Sequence, residues 1–496
     1  MRKLTFIITF WILTFSFISQ SKGQMPTEMI RFTQQDLSGT ARTLGVSNSN
    51  GALGGDFGAI HSNPASLAIY RKSEFMFSPG LAFYRTNANV LEDPNSFSLR
   101  ESNSNIVVDN IGFVIASNLN NDPNKTFNIA IGYNRLARFN NAYEYSGLTP
   151  GSIGNRFTEL AEGLEPNQLD QFYEGLAYET FAIGLEPDGL SYFSDFEDDD
   201  LVLKNGQFLS SGGVSEFNVA FASNFNNKLS IGIKMGVPFF NYEEEVLYTE
   251  LDEEGISPYF KRLEFDQYLN TTGIGFHTNV GIVYSPSFPF RLGFTLQTPT
   301  WYSLNDDFDS RMLYDYVDDP DIFPAPPPQE VLSPDGRFSY KVNTPWVIRG
   351  QAGYLLGKNG FVSAQLEYLN YSNSSFRYEN EFAAAERDVN RGIRDQLNSA
   401  INFSMGGELA LDKFRARVGT SLRQNPTAET SSYDPGLSLG VGFRDDNFFM
   451  DMAYRWQRND FLTQPYQRQD PSSSITNVDV SGNAQQVLLT FGFKLN

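Results

Sequence analysis

Residues 448–456 read FFMDMAYRW, and their alternation is the clearest indication of the fold. Its even positions, from Phe448 to Trp456, carry large apolar or aromatic side chains, while its odd positions include Asp451, Ala453 and Arg455. Successive side chains of a β-strand point to opposite faces, so this spacing predicts a strand with one aromatic and one charged face. A membrane barrel turns such faces towards lipid and towards a wet interior.

The same alternation recurs along the chain, for example at 413–422 and 362–368. We predict strands at 73–86, 105–117, 125–138, 213–224, 228–250, 259–285, 289–316, 337–356, 360–378, 398–411, 413–425, 435–444, 447–458 and 485–494. Short turns alternate with long connections, as short periplasmic turns alternate with long extracellular loops in outer-membrane barrels. The predicted fold is therefore all-β, a 14-stranded antiparallel transmembrane β-barrel over residues 71–496. Its long extracellular loops are 139–212, 317–336, 379–397 and 459–484.

Residues 1–23 have the parts of a secretory signal peptide. Arg2 and Lys3 form a basic start, residues 4–18 are an apolar core broken only by Thr and Ser, and Ser21 and Gly23 supply small residues near a cleavage point. This pattern predicts Sec-type export and a mature chain that begins near Gln24. The absence of cysteine excludes lipoprotein attachment. We expect the mature barrel in the cell outer membrane.

The composition fits a membrane barrel and excludes several other classes. The 496 residues include 44 Phe, 24 Tyr and 41 Gly, and the mean hydropathy is nevertheless negative. After residue 23 no apolar run approaches the ~20 residues of a spanning helix. The net charge of −21 argues against a nucleic-acid partner, whose phosphates need a basic surface. The acid lies in runs such as 195–200, which are typical of solvated loops, with divalent-cation binding as the alternative.

The sequence offers little material for catalysis or for a cofactor. It contains 0 Cys and 2 His, so no metal site built on such ligands and no haem are expected. Neither a nucleophile elbow nor a phosphate-binding loop occurs. His277 could face the barrel interior, but no partner for it is evident, and His61 is interpreted as a packing or hydrogen-bonding residue. The protein is therefore not expected to be an enzyme.

Residues 24–70, which we call the hatch, do not alternate and are rich in Gly, Ser and Ala. A barrel of this size has a wide interior that must be filled or stand open, so the simplest location for the hatch is a plug inside it. Residues 54–67 read GGDFGAIHSNPASL. The residues that matter in this stretch are Gly54, Gly55, Asp56, Ala59, Asn63, Pro64, Ala65 and Leu67.

These residues and their spacing resemble the hatch of the FadL/TodX-type outer-membrane transporters of hydrophobic compounds, and are most similar to its Bacteroidetes branch. Two departures occur: Ser66 stands where that family often has Gly, and His61 with Ser62 replaces an aromatic pair. The motif identity covers residues 37–86, while the architecture matches along the whole chain. The Asn-Pro-Ala turn itself has a physical basis, because Pro fixes φ and Asn can cap its own backbone.

The resemblance implies a function: transport of long-chain fatty acids or aromatic hydrocarbons through the plugged barrel, with a lateral exit into the bilayer. In that family the exit lies in the third strand, here near 126–136, where Gly132 is the candidate for a kink. The partners implied are a hydrophobic small-molecule ligand, outer-membrane lipid and lipopolysaccharide. The family also implies a monomer.

Two long loops have helical spacing, at 156–183 with a break at Pro166, and at 382–397. Apolar helix faces outside a membrane must pack on something. They either pack on each other and cap the barrel rim, or form a groove that gathers an apolar ligand, and both can hold together. The candidate groove residues are Leu160, Leu164, Leu169, Phe172, Tyr173 and Leu176.

Two other functions remain open from the sequence. The first is a non-transporting barrel that acts as a docking or accessory protein, as the FadL-like component of type IX secretion does. An apolar pocket above the hatch would count against that function. The second is a general porin, against which a plug of 24–70 would argue. The sequence does not name the ligand.

Overall fold

The computed structural model describes residues 25–36, 39–96, 98–117, 125–257, 260–316, 329–427, 432–469, 473 and 475–495. The signal peptide predicted at 1–23 lies outside these residues, as do 317–328 of one predicted loop. The strands are β1 Ser73–Val90, β2 Leu99–Ile115, β3 Lys125–Arg138, β4 Asn141–Pro150, β5 Ile183–Leu185, β6 Tyr192–Ser194, β7 Leu201–Phe225, β8 Leu229–Leu251, β9 Phe260–Tyr284, β10 Phe290–Gln297, β11 Trp301–Tyr316, β12 Glu330–Leu332, β13 Gly336–Asn343, β14 Val347–Leu355, β15 Gly360–Asn370, β16 Ser375–Arg377, β17 Ser399–Leu411, β18 Phe414–Gln424, β19 Tyr433–Arg444, β20 Phe448–Arg458, β21 Phe461–Thr463 and β22 Val478–Leu495.

The helices are short and lie in the hatch and in the long loops. The α-helices are α1 Met29–Thr33, α2 Ala41–Gly45, α3 Phe57–Ser62, α4 Ile153–Ala161, α5 Glu174–Glu179 and α6 Ala383–Gln396. The 3₁₀ helices are Pro26–Glu28, Ser49–Ala52, Pro64–Ile69, Pro166–Gln168, Tyr371–Asn373 and Asn380–Phe382. In the described residues no helix is long and apolar enough to cross a membrane.

The strands close into an antiparallel barrel, because β1 pairs with β2 on one side and with β22 on the other. Two of the barrel strands are each built from two consecutive segments, one from β10 and β11 and the other from β13 and β14. These two barrel strands are neighbours, because β10 pairs with β14 and β11 pairs with β13. When each of these pairs of segments is counted as one barrel strand, the described part of the chain forms fourteen barrel strands, which confirms the predicted fold class. Short turns lie at one end of the barrel, together with the start of β1 and the end of β22. Long connections lie at the other end.

A belt of exposed apolar side chains surrounds the barrel, as lipid contact requires. Its middle includes Phe217, Ile233, Phe276, Leu292, Ile348, Leu366, Met405, Val418, Leu439 and Met452. Aromatic residues mark its short-turn edge at Phe75, Phe225, Tyr284, Phe290, Phe414 and Phe493, and its long-loop edge at Phe239, Trp301, Trp346, Tyr368 and Tyr433. The apolar positions of the alternating pattern therefore face outward, as the sequence predicted for strands in contact with lipid.

Three strands extend far beyond this belt. β7, β8 and β9 contain 25, 23 and 25 residues, whereas a tilted strand crosses a bilayer in about 9–11. β7 begins at Leu201 rather than at 213, and β2 begins at Leu99 rather than at 105. Outward positions of these extensions carry polar residues such as Asn241, Glu243 and Glu245 of β8, because they do not meet lipid, and the alternation that identified the strand cores is therefore weak there.

The hatch lies inside the barrel. Its 3₁₀ helix Pro64–Ile69 contacts β3, β7, β8 and β9, while α2 contacts β18, β19, β20 and β22 on the opposite wall. Most hatch residues between 39 and 70 are buried. The hatch therefore spans the interior between two walls, in the position predicted for a plug.

Candidate functional site

An apolar cluster, which we call the chamber, fills the interior on the long-loop side of the hatch. Its wall residues come from inward positions of several strands, from the residue that follows β3 and from α6. They include Leu136, Phe139, Val214, Phe240, Tyr302, Leu304, Tyr340, Val342, Leu369, Phe376 and Ile393. Inward positions of a porin are polar, so an apolar lining at this depth points to apolar contents.

The protein's own N-terminal segment occupies the chamber. Met29 and Phe32 of α1 are 0% and 4% exposed. The Phe32 ring centroid lies 5.0 Å from that of Phe240 and 5.9 Å from that of Phe376, in tilted and edge-on contacts. The cavity beside Phe32 measures only ≈ 20 Å³, which is room for about one water molecule. A ligand of any size can therefore enter the chamber only if α1 moves.

Helix α6 packs against the chamber. Val389 and Ile393 are spaced by four residues and pack into the apolar cluster, so one helix face is buried. Gly392 lies against the N-terminal segment, since a Cβ there would come within 2.5 Å of Pro26 Cγ. The predicted helix at 382–397 is thereby confirmed, and its apolar face packs directly on the chamber.

The barrel wall beside the chamber has a gap between β2 and β3. These two strands pair from Ile115 with Ile129 as far as Asn110 with Asn134. Beyond that point, within the described residues, β2 pairs with β1 alone. The pairing of β3 with β7 shifts register between Arg135 and Ala137.

After this bulge the chain turns inward. β4 continues along β7, and its Tyr143 and Tyr145 pack against Ala88 and Val90 on the inner face of β1. The kink therefore lies near Arg135 rather than at the Gly132 suggested from the sequence. Gly132 serves another purpose: a Cβ there would come within 2.3 Å of the Phe57 ring in the hatch.

Asp36 of the hatch connects to the strand edge that the gap exposes. Its backbone N–H donates to the Leu136 carbonyl (2.7 Å), and its carboxylate accepts from the Arg138 N–H (2.9 Å). Arg138 also forms an ion pair with Asp109, the extra residue of β2 at the gap. Burial raises the pKa of Asp36, but Arg423, Arg455 and Arg138 outweigh it and hold this pKa below its ordinary value. Asp36 is therefore an anion that connects the hatch to β3.

The predicted hatch residues form helix caps and turns within the hatch. Asp56 caps α3 by accepting from Gly58 N–H (3.0 Å), and it also accepts from Thr43 (2.6 Å). Gly54 and Gly55 have φ of +64° and +68°, and a Cβ on Gly54 would lie 2.5 Å from the Ser66 carbonyl oxygen. These two glycines permit a turn that other residues resist.

The Asn-Pro-Ala triplet lies against glycines of the barrel wall. Asn63 caps the 3₁₀ helix by accepting from Ala65 N–H (3.0 Å), and it donates to Gln351 (2.8 Å). A Cβ on Gly232 would meet the Pro64 backbone at 2.4 Å, and one on Gly281 would meet the Asn63 side chain at 2.1 Å. Ala59 is fully buried. A functional role of these hatch residues stays a prediction.

A buried charge cluster below the chamber was not found from the sequence. Glu216 lies 2.7 Å from the Lys234 ammonium and 2.9 Å from His277 Nε2, and Lys234 lies 3.2 Å from His61 Nδ1. The sequence interpretation that nothing converges on His277 is therefore wrong. His61 also contacts Gln35 at 3.3 Å, so it lies within hydrogen-bond distance of two polar side chains. Inward parity marks Glu216 and Lys234 in hindsight, but only the strand register brings them together.

The candidate groove residues of the 139–212 loop are packed in a second apolar cluster. Leu169, Tyr173 and Leu176 are buried there, with Leu160 and Leu164 packed at its edge. The Tyr173 ring is 4.7 Å from Phe157 and 5.0 Å from Phe265 of β9. Phe172 lies outside this core, 4.8 Å from Phe308. The loop helices thus pack on each other and on the barrel rim, and a ligand groove on them stays a prediction.

No protein-family model matches the sequence. No curated relative matches it either. Among solved structures, the chain is similar to a Pseudomonas aeruginosa FadL homologue, with a TM-score of 0.55 and 12% identity over 93% of this chain and 100% of that chain. It is also similar to the P. putida toluene transporter TodX, with a TM-score of 0.52 and 11% identity over 93% and 100%. The CymD monoaromatic hydrocarbon channel gives 0.50 and 10% over 93% and 98%. This chain therefore has the plugged-barrel fold of the FadL- and TodX-type channels.

Proposed function

We propose that this protein is an outer-membrane channel for hydrophobic small molecules, of the fatty-acid or aromatic-hydrocarbon class. The observation that carries the proposal is the position of the apolar chamber directly beside the gap between β2 and β3. Leu136 and Phe139, at the kinked end of β3, belong to the chamber wall itself. A molecule held in the chamber would thus lie next to the point where the pairing of β2 with β3 ends, which is where we place the exit to lipid.

The physical advantage of such a path is that the ligand never returns to water. An apolar solute gains little from a wet channel, and it loses its hydrophobic stabilisation each time it is rehydrated. Transfer from chamber to bilayer through the wall keeps it in apolar surroundings. The solvent-filled pore of a general porin offers no such route, and the hatch obstructs the lumen here.

The channel opens when the hatch withdraws. Two parts have to move: α1, whose Phe32 fills the chamber, and Asp36, which connects the hatch to β3. We place the long-loop end on the outside of the cell and residues 24–70 as the movable plug, with 1–23 removed on export. The apolar chamber also favours transport over a purely docking role, for which it would have no use.

The proposal is tested by native mass spectrometry of the detergent-purified protein after incubation with toluene and with a long-chain fatty acid. Wild type is expected to retain one of them. Phe240→Asn, which places an amide in the chamber wall, is expected to lose it. Phe172→Ala, at the loop helices, is the control that separates the chamber from the loop groove.

Loss of ligand in Phe172→Ala alone would place the site on the loop. Tyr173 is a poor choice for this test, because its ring lies in the loop core and its removal would unfold the loop. If wild type retains neither compound, the transport proposal fails and the docking role becomes the better one.

A further inference from the structure

We propose that the entrance to the chamber carries a binding site for the cationic head of an apolar ligand, and that Arg31 of the hatch occupies it at rest. The site consists of Tyr242, Glu244, Asp306 and Tyr340, which we call the anionic box. This inference rests on the proposed function, since the box is freed only when α1 leaves. Of the two proposed classes it favours the aromatic one, in molecules that bear an amine, guanidinium or quaternary ammonium group, and it counts against fatty acids, whose heads are anionic.

The box spans neighbouring strands in one inward-facing patch. Tyr242 of β8 and Asp306 of β11 both stand opposite Thr271 of β9, so the three share one row across the sheet. Glu244 is two residues further along β8, on the same face. The patch lies towards the long loops from the lipid belt, because the outward positions of β8 turn polar at Asn241.

The tyrosine hydroxyls hold the carboxylates in place. Tyr242 donates to Glu244, and Tyr340 donates to Asp306 at 3.1 Å. Thr271 donates to Asp306 at 2.7 Å. The two carboxylates are thus fixed beside two aromatic rings, and the tyrosines are only 5% and 4% exposed. Aromatic faces next to fixed negative charge are the usual surroundings of a bound organic cation.

A cation already sits in the box, and it comes from the plug. The Arg31 guanidinium carbon lies 3.7 Å from the centre of the Tyr242 ring, well inside cation–π range. One of its nitrogens is 4.0 Å from Glu244, and another is 3.0 Å from Glu28 on the hatch itself. When α1 withdraws, Arg31 and Glu28 leave together, and Tyr242 and Glu244 lose the cation that they now contact.

The box also disfavours anionic ligands. A carboxylate head would have to pass two fixed carboxylates, and its charge would repel both at short range. Glu244 and Arg31 are 25% and 16% exposed, so the box is reachable from the long-loop side while its tyrosines stay sheltered. The box therefore acts as a charge filter in front of the apolar chamber.

The test is isothermal titration calorimetry of the full-length protein in a non-ionic detergent with three probes that share a phenylbutyl body. The probes end in trimethylammonium, in a hydroxyl group and in a carboxylate. Wild type is expected to bind the cation more tightly than the alcohol, and the alcohol more tightly than the anion. Glu244→Gln is expected to weaken the cation by about tenfold and to leave the alcohol unchanged.

Two further variants sharpen the test. Glu243→Gln changes the neighbouring carboxylate, which points outward on the same strand, and is expected to change nothing. Arg31→Gln removes the resident cation and is expected to raise the ratio of cation to alcohol affinity. The ratio is used because a looser α1 would improve the binding of every probe.

A cation affinity no better than that of the alcohol, or an unchanged ratio in Arg31→Gln, would overturn the inference. If the alcohol still binds in that case, the proposed channel stands without a charge filter. If no probe binds, the channel and the filter both fail. Heat-dependent mobility of each variant in gel electrophoresis confirms that its barrel is folded.

Discussion

Asp36 is a single residue that joins three parts of the molecule: the hatch, the kinked end of β3 and the arginines beside the gap. We predict that Asp36→Asn loosens the hatch without removing its backbone hydrogen bond to Leu136. Losing a charge-assisted hydrogen bond costs about 1.5–3 kcal/mol, so exchange of the Arg138 amide should accelerate by about tenfold or more. Hydrogen exchange with mass spectrometry measures this.

The matched control is Asp388→Asn on the exposed face of α6, where the carboxylate contacts only Arg391, at 3.6 Å, among the ion pairs of the described residues. It should leave exchange at Arg138 unchanged. Equal protection of Arg138 in wild type and Asp36→Asn would show that Asp36 does not hold the hatch.

Glu28 makes the docking of α1 sensitive to pH. Burial, partly opposed by Arg31, raises the pKa of Glu28 from 4.5 to about 7. A raised carboxyl pKa means that the docked state prefers the protonated form, so docking is strongest below pH 4.5, weakens up to about pH 7 and is constant above it. His61 has the opposite sign, because burial lowers its pKa, and the comparison is therefore made between wild type and Glu28→Gln.

A spin label on Met25→Cys reports this docking, since Met25 is 54% exposed and the chain has 0 other cysteines. The mobile fraction of the label should rise from pH 5 to pH 8 in the wild-type background and should stay flatter in Glu28→Gln. An identical pH profile in both backgrounds would exclude Glu28 as the titrating group.

At the scale of elements, the contact between α3 and the wall gives a stability prediction. A Cβ on Gly132 would lie 2.3 Å from the Phe57 ring and 2.6 Å from the Ile111 carbonyl oxygen. Gly132→Ala should therefore destabilise the plugged barrel by about 1–3 kcal/mol, as overpacking does elsewhere. Urea unfolding in detergent micelles measures it, with Gly350→Ala as control, because a Cβ there meets nothing within 4 Å. Equal stability of the two variants would mean that Phe57 yields freely.

The strands of the barrel could be predicted from the sequence because contact with lipid on one face makes apolar residues recur at every second position. β20 and β18 begin within a residue of their predicted starts, at Phe448 and Phe414. The kink of β3 could not be predicted, since no Pro or Gly lies at Arg135 and the cause is the inward packing of β4 on β1. The extension of β7 back to Leu201 was missed because no lipid faces it.

The candidate site was predictable only in part, for a similar reason. The hatch motif around Asp56 and Asn63 depends on local capping, which spacing reveals. Asp36 and Arg138 lie 102 positions apart, and Arg31 meets Tyr242 across an even longer separation. Contacts of this kind depend on the register of the closed sheet and leave no local pattern.

At the scale of the whole molecule, the hatch both obstructs the barrel interior and fills the chamber, through Met29 and Phe32 of α1. The hatch is bound to the barrel by polar contacts such as the ion pair of Arg42 with Glu408 (3.0 Å), whose separation would take this partner from a largely buried charge. Its first helix is bound to the chamber mainly by the apolar contacts of Met29 and Phe32, beside the polar contacts of Arg31 and Thr33. An apolar ligand can therefore replace α1, with release of Asp36 from β3, while α2, α3 and the 3₁₀ helix Pro64–Ile69 stay in place. The relation to the Bacteroidetes branch stays a prediction.

We infer that molecules leave through the gap between β2 and β3 when the contacts of Asp36 with β3 break. The most direct measurement is toluene uptake by cells that express Asp36→Cys/Arg138→Cys, compared under oxidising and reducing conditions. With 0 native cysteines, oxidation can form only this bridge, and mass spectrometry verifies it. We predict that uptake stops when the bridge forms, returns on reduction, and is insensitive to oxidant in each single-cysteine variant. Undiminished uptake through the bridged protein would show that release of Asp36 from β3 is not required for transport.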